Sequence, residues 1–246
     1  MRSETEKQAF RRAYIEARGY WVEFNDGLLE HSPEWLEAYL AYSSTPARVG
    51  PLSARMRELI YVAVDGSTTH LFLAGLEIHV RLALQVGCTP GELVEVLQLA
   101  TMQGLDSVVL GMSVLEEELA AMGRAIPVEQ ADGGVLDRYE ALHGDRPGWL
   151  AAMAAVSPEW ARVLVDLLET ADGTSRLTAR ERALIRLALA ASPTHLSREA
   201  VRTETRRALE LGAGVDEIAQ VFQLVAHLGL HACSEGIPAV MRASQE

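Results

Sequence analysis

The sequence is poor in cysteine: Cys88 and Cys233 are the two thiols in 246 residues. No Cys-x-x-Cys is possible, which excludes thioredoxin-type redox chemistry and cysteine-based zinc sites. Two thiols allow one long-range disulfide, but a reducing compartment is the simpler reading. Basic residues are also scarce, 22 Lys and Arg against 34 Asp and Glu, for a net charge of −12. Such a chain repels phosphate backbones. Its one basic cluster, Arg202, Arg206 and Arg207, is interleaved with Glu199 and Glu204, so no nucleic-acid partner is expected. No apolar run approaches the roughly 18 residues of a membrane span, and residues 1–7 lack the apolar stretch of a signal peptide. The expectation is a cytoplasmic chain with no membrane partner. Also missing are a Gly-x-Ser-x-Gly elbow, a P-loop and a His-Glu-x-x-His. Gly212-Ala213-Gly214 follows a helical pattern rather than a strand, so it reads as a helix end and not a dinucleotide loop.

What is present is ordinary globular composition, 49% hydrophobic and 23% charged. The length suits one large domain or two of about 120 residues. A repeat decides between them. Ser32-Pro33-Glu34-Trp35 returns as Ser157-Pro158-Glu159-Trp160, and the same offset of 125 carries Thr69-His70-Leu71 onto Thr194-His195-Leu196. Of the 80 positions from 32 to 111, 27 are identical at that offset without a gap. Turn formers collect at 122–148. The division expected is a first unit over 1–123, a linker over 124–135 and a second unit over 136–246.

The periodicity is helical throughout. Ser32 reads as a cap with Pro33 at the first helical position, leading into a helix with a buried Trp35. Ser53 and Thr178 cap the next helix of each unit, and Thr178 has Glu181 three residues on, as in a capping box. The spacing predicts helices over 54–66 and about 71–86, the latter ended by Gly87, then 91–102 and, after an interruption at Gly104, one to about 121. No segment sustains a period of two. The fold class expected is all-α, two homologous helical bundles packed as an internal pseudo-dimer.

Three groups of residues carry candidate chemistry. His79 falls on the apolar stripe of its helix with Leu76, Val80 and Ala83. An inward histidine suits acid/base work near neutral pH, though a core histidine bonded to a carbonyl would look the same. Glu58, Tyr61 and Asp65 form one polar stripe on a helix that is otherwise apolar. Crowded carboxylates there would push one pKa upward; a solvated stripe is the alternative. Glu77 and Arg81 have the spacing and order of a surface ion pair. His70 and its equivalent His195 stand at helix starts. In the second unit the positions of Glu58, Asp65, Gly75, Glu77 and His79 hold Ala183, Ala190, Ala200, Arg202 and Glu204. One unit carries the candidate set and the other has lost it, as in a duplicated enzyme with one copy kept as scaffold. His227 and His231 are four apart, a metal-binding spacing, but Gly229 lies between them and no third ligand is evident nearby, so no metal is expected.

The stretch from Glu77-Ile78-His79-Val80-Arg81-Leu82-Ala83 through Gly87-Cys88-Thr89 to Glu92-Leu93-Val94-Glu95, with Glu58-Leu59-Ile60 before it, resembles the carboxymuconolactone decarboxylase family. The resemblance implies a compact all-α fold assembled in rings, hence a homo-oligomer: a trimer of tandem chains, with a dimer as the other option. It implies proton-transfer chemistry without a cofactor on a small carboxylated lactone, with His79 and Glu58 matching the family's histidine and glutamate. Alkylhydroperoxidase D-like proteins of the same superfamily carry Glu, eleven residues, Cys-x-x-Cys, three residues, His. Placing His79 on that histidine puts Phe72 and Gly75 at the cysteines and Ile60 at the glutamate. No thiolate nucleophile remains, which rules out a peroxidase.

The function expected is therefore a lyase acting on a small molecule, a decarboxylase of a carboxylated lactone or keto acid. An isomerase, a lactone-opening enzyme or a non-catalytic scaffold on the same fold are the alternatives. His79 would exchange the proton, with Glu58 or Asp65 setting its charge and His70 orienting the substrate. Substrate contacts fall to Arg81, Tyr61, Phe72 and His195, and Arg81 or Arg55 would hold the developing enolate.

Overall fold

The computed structural model describes residues 3–244; Met1 and Arg2, the start of the stretch read for a leader, lie outside them. Among the described residues the chain is helical, with no strand. The first repeat holds α1 (Glu4–Arg18), α2 (Phe24–His31), α3 (Pro33–Val49), α4 (Ala54–Asp65), α5 (Leu73–Gln85), α6 (Pro90–Thr101) and α7 (Leu105–Ala121). The second holds α8 (Gly133–His143), α9 (Gly148–Val156), α10 (Pro158–Gly173), α11 (Ala179–Ala191), α12 (Arg198–Glu210), α13 (Val215–Ala226) and α14 (His231–Ala243). Each helix of the first repeat thus has its counterpart seven elements later.

Local chemistry starts these helices where the residues dictate, with one exception. The Ser53 hydroxyl accepts from Met56 N, Thr178 and Glu181 form a full capping box, and Thr89 and Glu92 form another. Gly87 and Gly212 take positive φ after α5 and α12. The exception is the repeated Ser-Pro-Glu-Trp. Ser32 and Ser157 make no side-chain cap bond, and Trp35 and Trp160 are 44% and 39% exposed rather than buried. Proline, whose φ is preset for a first turn, starts these helices without help from the serine.

The two apolar helices α4 and α11 pack on each other at the heart of the core. Leu59, Ile60, Val62, Ala63 and Val64 on one, and Leu184, Ile185, Leu187 and Ala188 on the other, are fully buried. Burial of each such Leu, Ile or Val contributes about 1.5–3 kcal/mol. Reciprocal bonds tie the repeats: Leu52 N donates to Gln220 Oε1 at 2.7 Å, and the equivalent Leu177 N donates to Glu95 Oε2 at 3.1 Å. Arg55 pairs with both Glu92 and Glu181, and Arg180 pairs with Glu217. The fold is an all-α internal pseudo-dimer.

The compact units do not follow the repeat boundary. Residues up to Thr101 form one unit with those from Leu177 onward, and Met102–Arg176 forms the other. The division at 124–135 marks the repeat in sequence but not in packing: α1–α6 share one unit with α11–α14, and α7–α10 make up the other. In the first unit α14 packs on α2, where Gly27 permits the approach: a Cβ there would lie 2.5 Å from Ile237 Cγ2. In the second unit α7 packs on α9, and Val135, Leu150, Ala154, Ala161, Leu164 and Val165 form a core among α8, α9 and α10.

The expectation of no membrane-length segment needs correcting. The stretch Pro90–Ala121 contains an 18-residue window apolar enough, by length and composition, to cross a membrane. A 3-10 turn at Met102–Gly104 interrupts it, so neither α6, with 12 residues, nor α7, with 17, reaches that length alone. Cys88 and Cys233 are both free thiols.

Candidate active site

The polar stripe of α4 faces neither solvent nor a single partner. Its three side chains go to three different histidines. The Glu58 carboxylate takes His79 Nδ1 at 2.7 Å, the Tyr61 hydroxyl shares a bond of 2.9 Å with His227 Nδ1, and Asp65 Oδ1 lies 4.0 Å from His70 Nε2. A fourth histidine closes the set, as His70 Nε2 and His231 Nδ1 stand 2.6 Å apart. His227 and His231 come from the second repeat, so the site is built by both. The turn between α4 and α5 presents His70 beside Asp65. It is closed by Phe72 N donating to Asp65 O at 2.9 Å and carries Leu71 at φ 46°. The second repeat makes the same turn, with Ser197 N on Ala190 O and Leu196 at φ 50°. That strain therefore belongs to the fold and not to the site.

Aromatic faces fix the His79 ring. Tyr61 stacks on it with centroids 4.4 Å apart, and Tyr20 meets it edge-on at 6.3 Å. Arg18, at the end of α1, donates to the Tyr20 hydroxyl at 3.1 Å and to Ser43 O at 3.2 Å. On the other side Phe72 stacks on His231 at 3.9 Å. A cavity of about 170 Å³ lies between, walled by Tyr20, Phe72, Gly75, His79, His231 and Ser234, with exposed Glu23 and Glu235 at its edge.

Burial governs the charges. It raises the Asp65 carboxyl to about 8, with Glu58 adding to the push. It lowers His231 to about 4, helped by His70 and His79, and lowers His227 to about 4, helped by the Arg18 charge. His70 is lowered by burial alone, and Tyr61 is raised by burial to about 12 against the opposing Arg18. The Asp65 shift comes chiefly from desolvation rather than from crowding. Asp65 Oδ2 and His227 Nε2 are buried without a hydrogen-bond partner.

The structure thus brings together His79, Glu58, Tyr61, Asp65, His70 and Phe72. The open choice for the partner of His79 falls on Glu58, since Asp65 belongs to His70. Three expectations fail. Arg81 is exposed and makes no ion pair with Glu77. Arg55 is held by Glu92 and Glu181. His195 sits in the turn after α11, away from the cavity wall. His227 and His231, four apart in sequence, take different partners, Tyr61 and His70. Sequence reasoning missed Arg18 and Tyr20, because a basic residue in the last turn of a helix reads as a dipole partner.

Residues 33–117 match the model of the carboxymuconolactone decarboxylase family. No curated protein matches the chain. Among solved structures, one from Burkholderia xenovorans LB400, described as a "putative gamma-carboxymuconolactone decarboxylase subunit", is 25% identical, with a TM-score of 0.90 over 97% of each chain.

Proposed function

We propose that this chain, which belongs to the carboxymuconolactone decarboxylase family through residues 33–117, is a lyase that releases CO₂ from a small carboxylated lactone or keto acid, with His79 as its acid/base group. The observation that carries this reading is the His79–Glu58 bond of 2.7 Å at the cavity wall. A carboxylate on Nδ1 fixes the tautomer and leaves Nε2 as the nitrogen that exchanges a proton. In the forward step the C–C bond to the carboxylate breaks, its electron pair passes into the adjoining unsaturation as an enolate, and CO₂ leaves. Protonated Nε2 then delivers its proton to the carbon, and the imidazole recovers one from solvent. Glu58 stabilises the imidazolium before transfer. The cation assigned to Arg81 or Arg55 is instead Arg18, acting through Tyr20: a hydroxyl that accepts from a guanidinium is a stronger donor to an oxyanion.

The test is CO₂ release from a panel of carboxylated lactones and β-keto acids, comparing wild type with His79→Ala and Glu58→Gln. Loss of release in His79→Ala, with a smaller loss in Glu58→Gln, supports the reading. A His79→Ala chain as active as wild type refutes it. Absence of CO₂ from every compound moves the reading to isomerisation or lactone opening at the same histidine.

A further inference from the structure

We propose that Asp65, His70 and His231 bind a divalent transition-metal ion at the wall of the cavity opposite His79. One donor comes from α4, one from the turn after it and one from α14, and their ligand atoms all lie within 4.8 Å of one another. Two further observations point to a cation here. Asp65 is 1% exposed and its Oδ2 has no hydrogen-bond partner, so an acidic group has been buried with one oxygen unsatisfied. Such a burial is costly unless a cation or proton compensates. The arrangement also gives Asp65 no retreat: its Oδ2 packs against Gly75, where a Cβ would sit 2.3 Å away.

The donor set fits the ion. Two imidazole nitrogens and a carboxylate oxygen are a common ligand set for such ions, and binding shifts the hydrogen now shared between the two rings onto another ring nitrogen or to solvent. Phe72, stacked on the His231 ring at 3.9 Å, sets that ring's orientation. Two nitrogens and one oxygen favour zinc- or iron-type ions over magnesium and calcium, which take oxygen. Ligands at about 2.1 Å from a metal stand roughly 3.0–3.4 Å apart. The imidazole nitrogens, now 2.6 Å apart, must separate by a few tenths of an ångström, and the carboxylate, 4.0 Å from His70 Nε2 and within 4.8 Å of the His231 ligand atom, must move in by roughly 1–2 Å. Side-chain torsions supply both. Three protein ligands leave a position open, the pattern of catalytic rather than structural sites. His231 and Gly75 line the cavity, so that position faces it. The exposed Glu23 and Glu235 at its edge favour entry of a cation and oppose that of a carboxylate. A bound ion gives an anionic substrate the countercharge this edge withholds. The site departs from the expectation of a chain without metal, and its test does not depend on the decarboxylase reading, since binding is measured without turnover.

The experiment titrates the chelator-treated full chain with Zn²⁺ by calorimetry, measures bound zinc after dialysis, and records the visible spectrum with Co²⁺. One Zn²⁺ per chain is expected, with at least tenfold weaker binding in Asp65→Asn and in His231→Gln, and unchanged binding in His31→Gln, an exposed histidine serving as control. An excess of Mg²⁺ should not displace it. Wild-type chain that binds no Zn²⁺, or Asp65→Asn and His231→Gln chains that bind it as tightly as wild type, would overturn the proposal. Circular dichroism checks that the variants fold. Should either not fold, the Co²⁺ spectrum of the wild type decides: intense d–d bands support mixed nitrogen and oxygen ligation, and the spectrum of the aqua ion refutes it.

Discussion

Replacing Gly75 by alanine tests the tightest packing in the site. A Cβ at that position would lie 2.3 Å from Asp65 Oδ2 and 2.5 Å from Phe72 Cδ1, about 1 Å short of the 3.4 Å at which ordinary contact begins. Neither neighbour gives easily, because the carboxylate is short and buried and the ring is held against His231. Two overlaps of this size place the cost at the upper end of overpacking, roughly 2–3 kcal/mol. Alanine returns about 0.5 kcal/mol of helix propensity in the first turn. The net loss is about 1.5–2.5 kcal/mol, or roughly 3–10 °C in Tm for a chain of this size. The second repeat contains the control. At the positions of Asp65, Phe72 and Gly75 it has Ala190, Ser197 and Ala200, so the alanine occurs where both obstacles are absent. Gly75→Ala should therefore cost nothing, or stabilise slightly, in an Asp65→Ala/Phe72→Ser background. Urea unfolding of the four chains, with chelator present to remove any metal, measures the cycle. An equal cost of Gly75→Ala in both backgrounds would refute the reasoning.

Three further outcomes are expected. Arg55→Ala, which breaks a half-buried bridge to one glutamate of each repeat, should cost about 1–3 kcal/mol in urea unfolding, against at most a few tenths for Arg81→Ala. His227 has a pKa near 4 in the folded chain against an ordinary 6.5, so between those values the unfolded chain binds the extra proton and stability falls as pH falls. Wild type should lose up to about 1.4 kcal/mol per pH unit more than His227→Gln across that window, and the two should run parallel above it. If CO₂ release is found, Arg18→Lys should lower kcat about 10- to 100-fold with little change in KM, because the cation acts on a charge that develops in the reaction.

The architecture was readable because the repeat is its own alignment. Caps such as Thr178 and Glu181 act within one turn, and the buried faces of α4 and α11 follow from period alone. The α4 stripe was legible as well, since Glu58, Tyr61 and Asp65 share a face whatever surrounds them. Its partners were not, because which histidine meets which side chain of the stripe depends on helix crossings, more than 160 residues apart in the case of Tyr61 and His227. Arg18 and Tyr20 were invisible for the same reason: the path of the chain between α1 and α2, and not spacing, carries them to His79. Ser32 misled because a serine before proline satisfies the capping pattern whether or not its hydroxyl turns inward.

The placing of α14 on α2 has a consequence for synthesis. His70 and His231 are separated by 161 residues, and at the usual 5–20 residues per second the ribosome needs roughly 8–32 s to make that stretch. Through that interval the nascent first repeat holds Asp65 without its histidine partners complete, and the Gly27 face of α2 lies open. A chaperone that shields apolar surface would have its longest engagement there. Stalled or truncated chains lacking the last helix would carry an uncovered groove, and with it a marked tendency to be degraded or to aggregate.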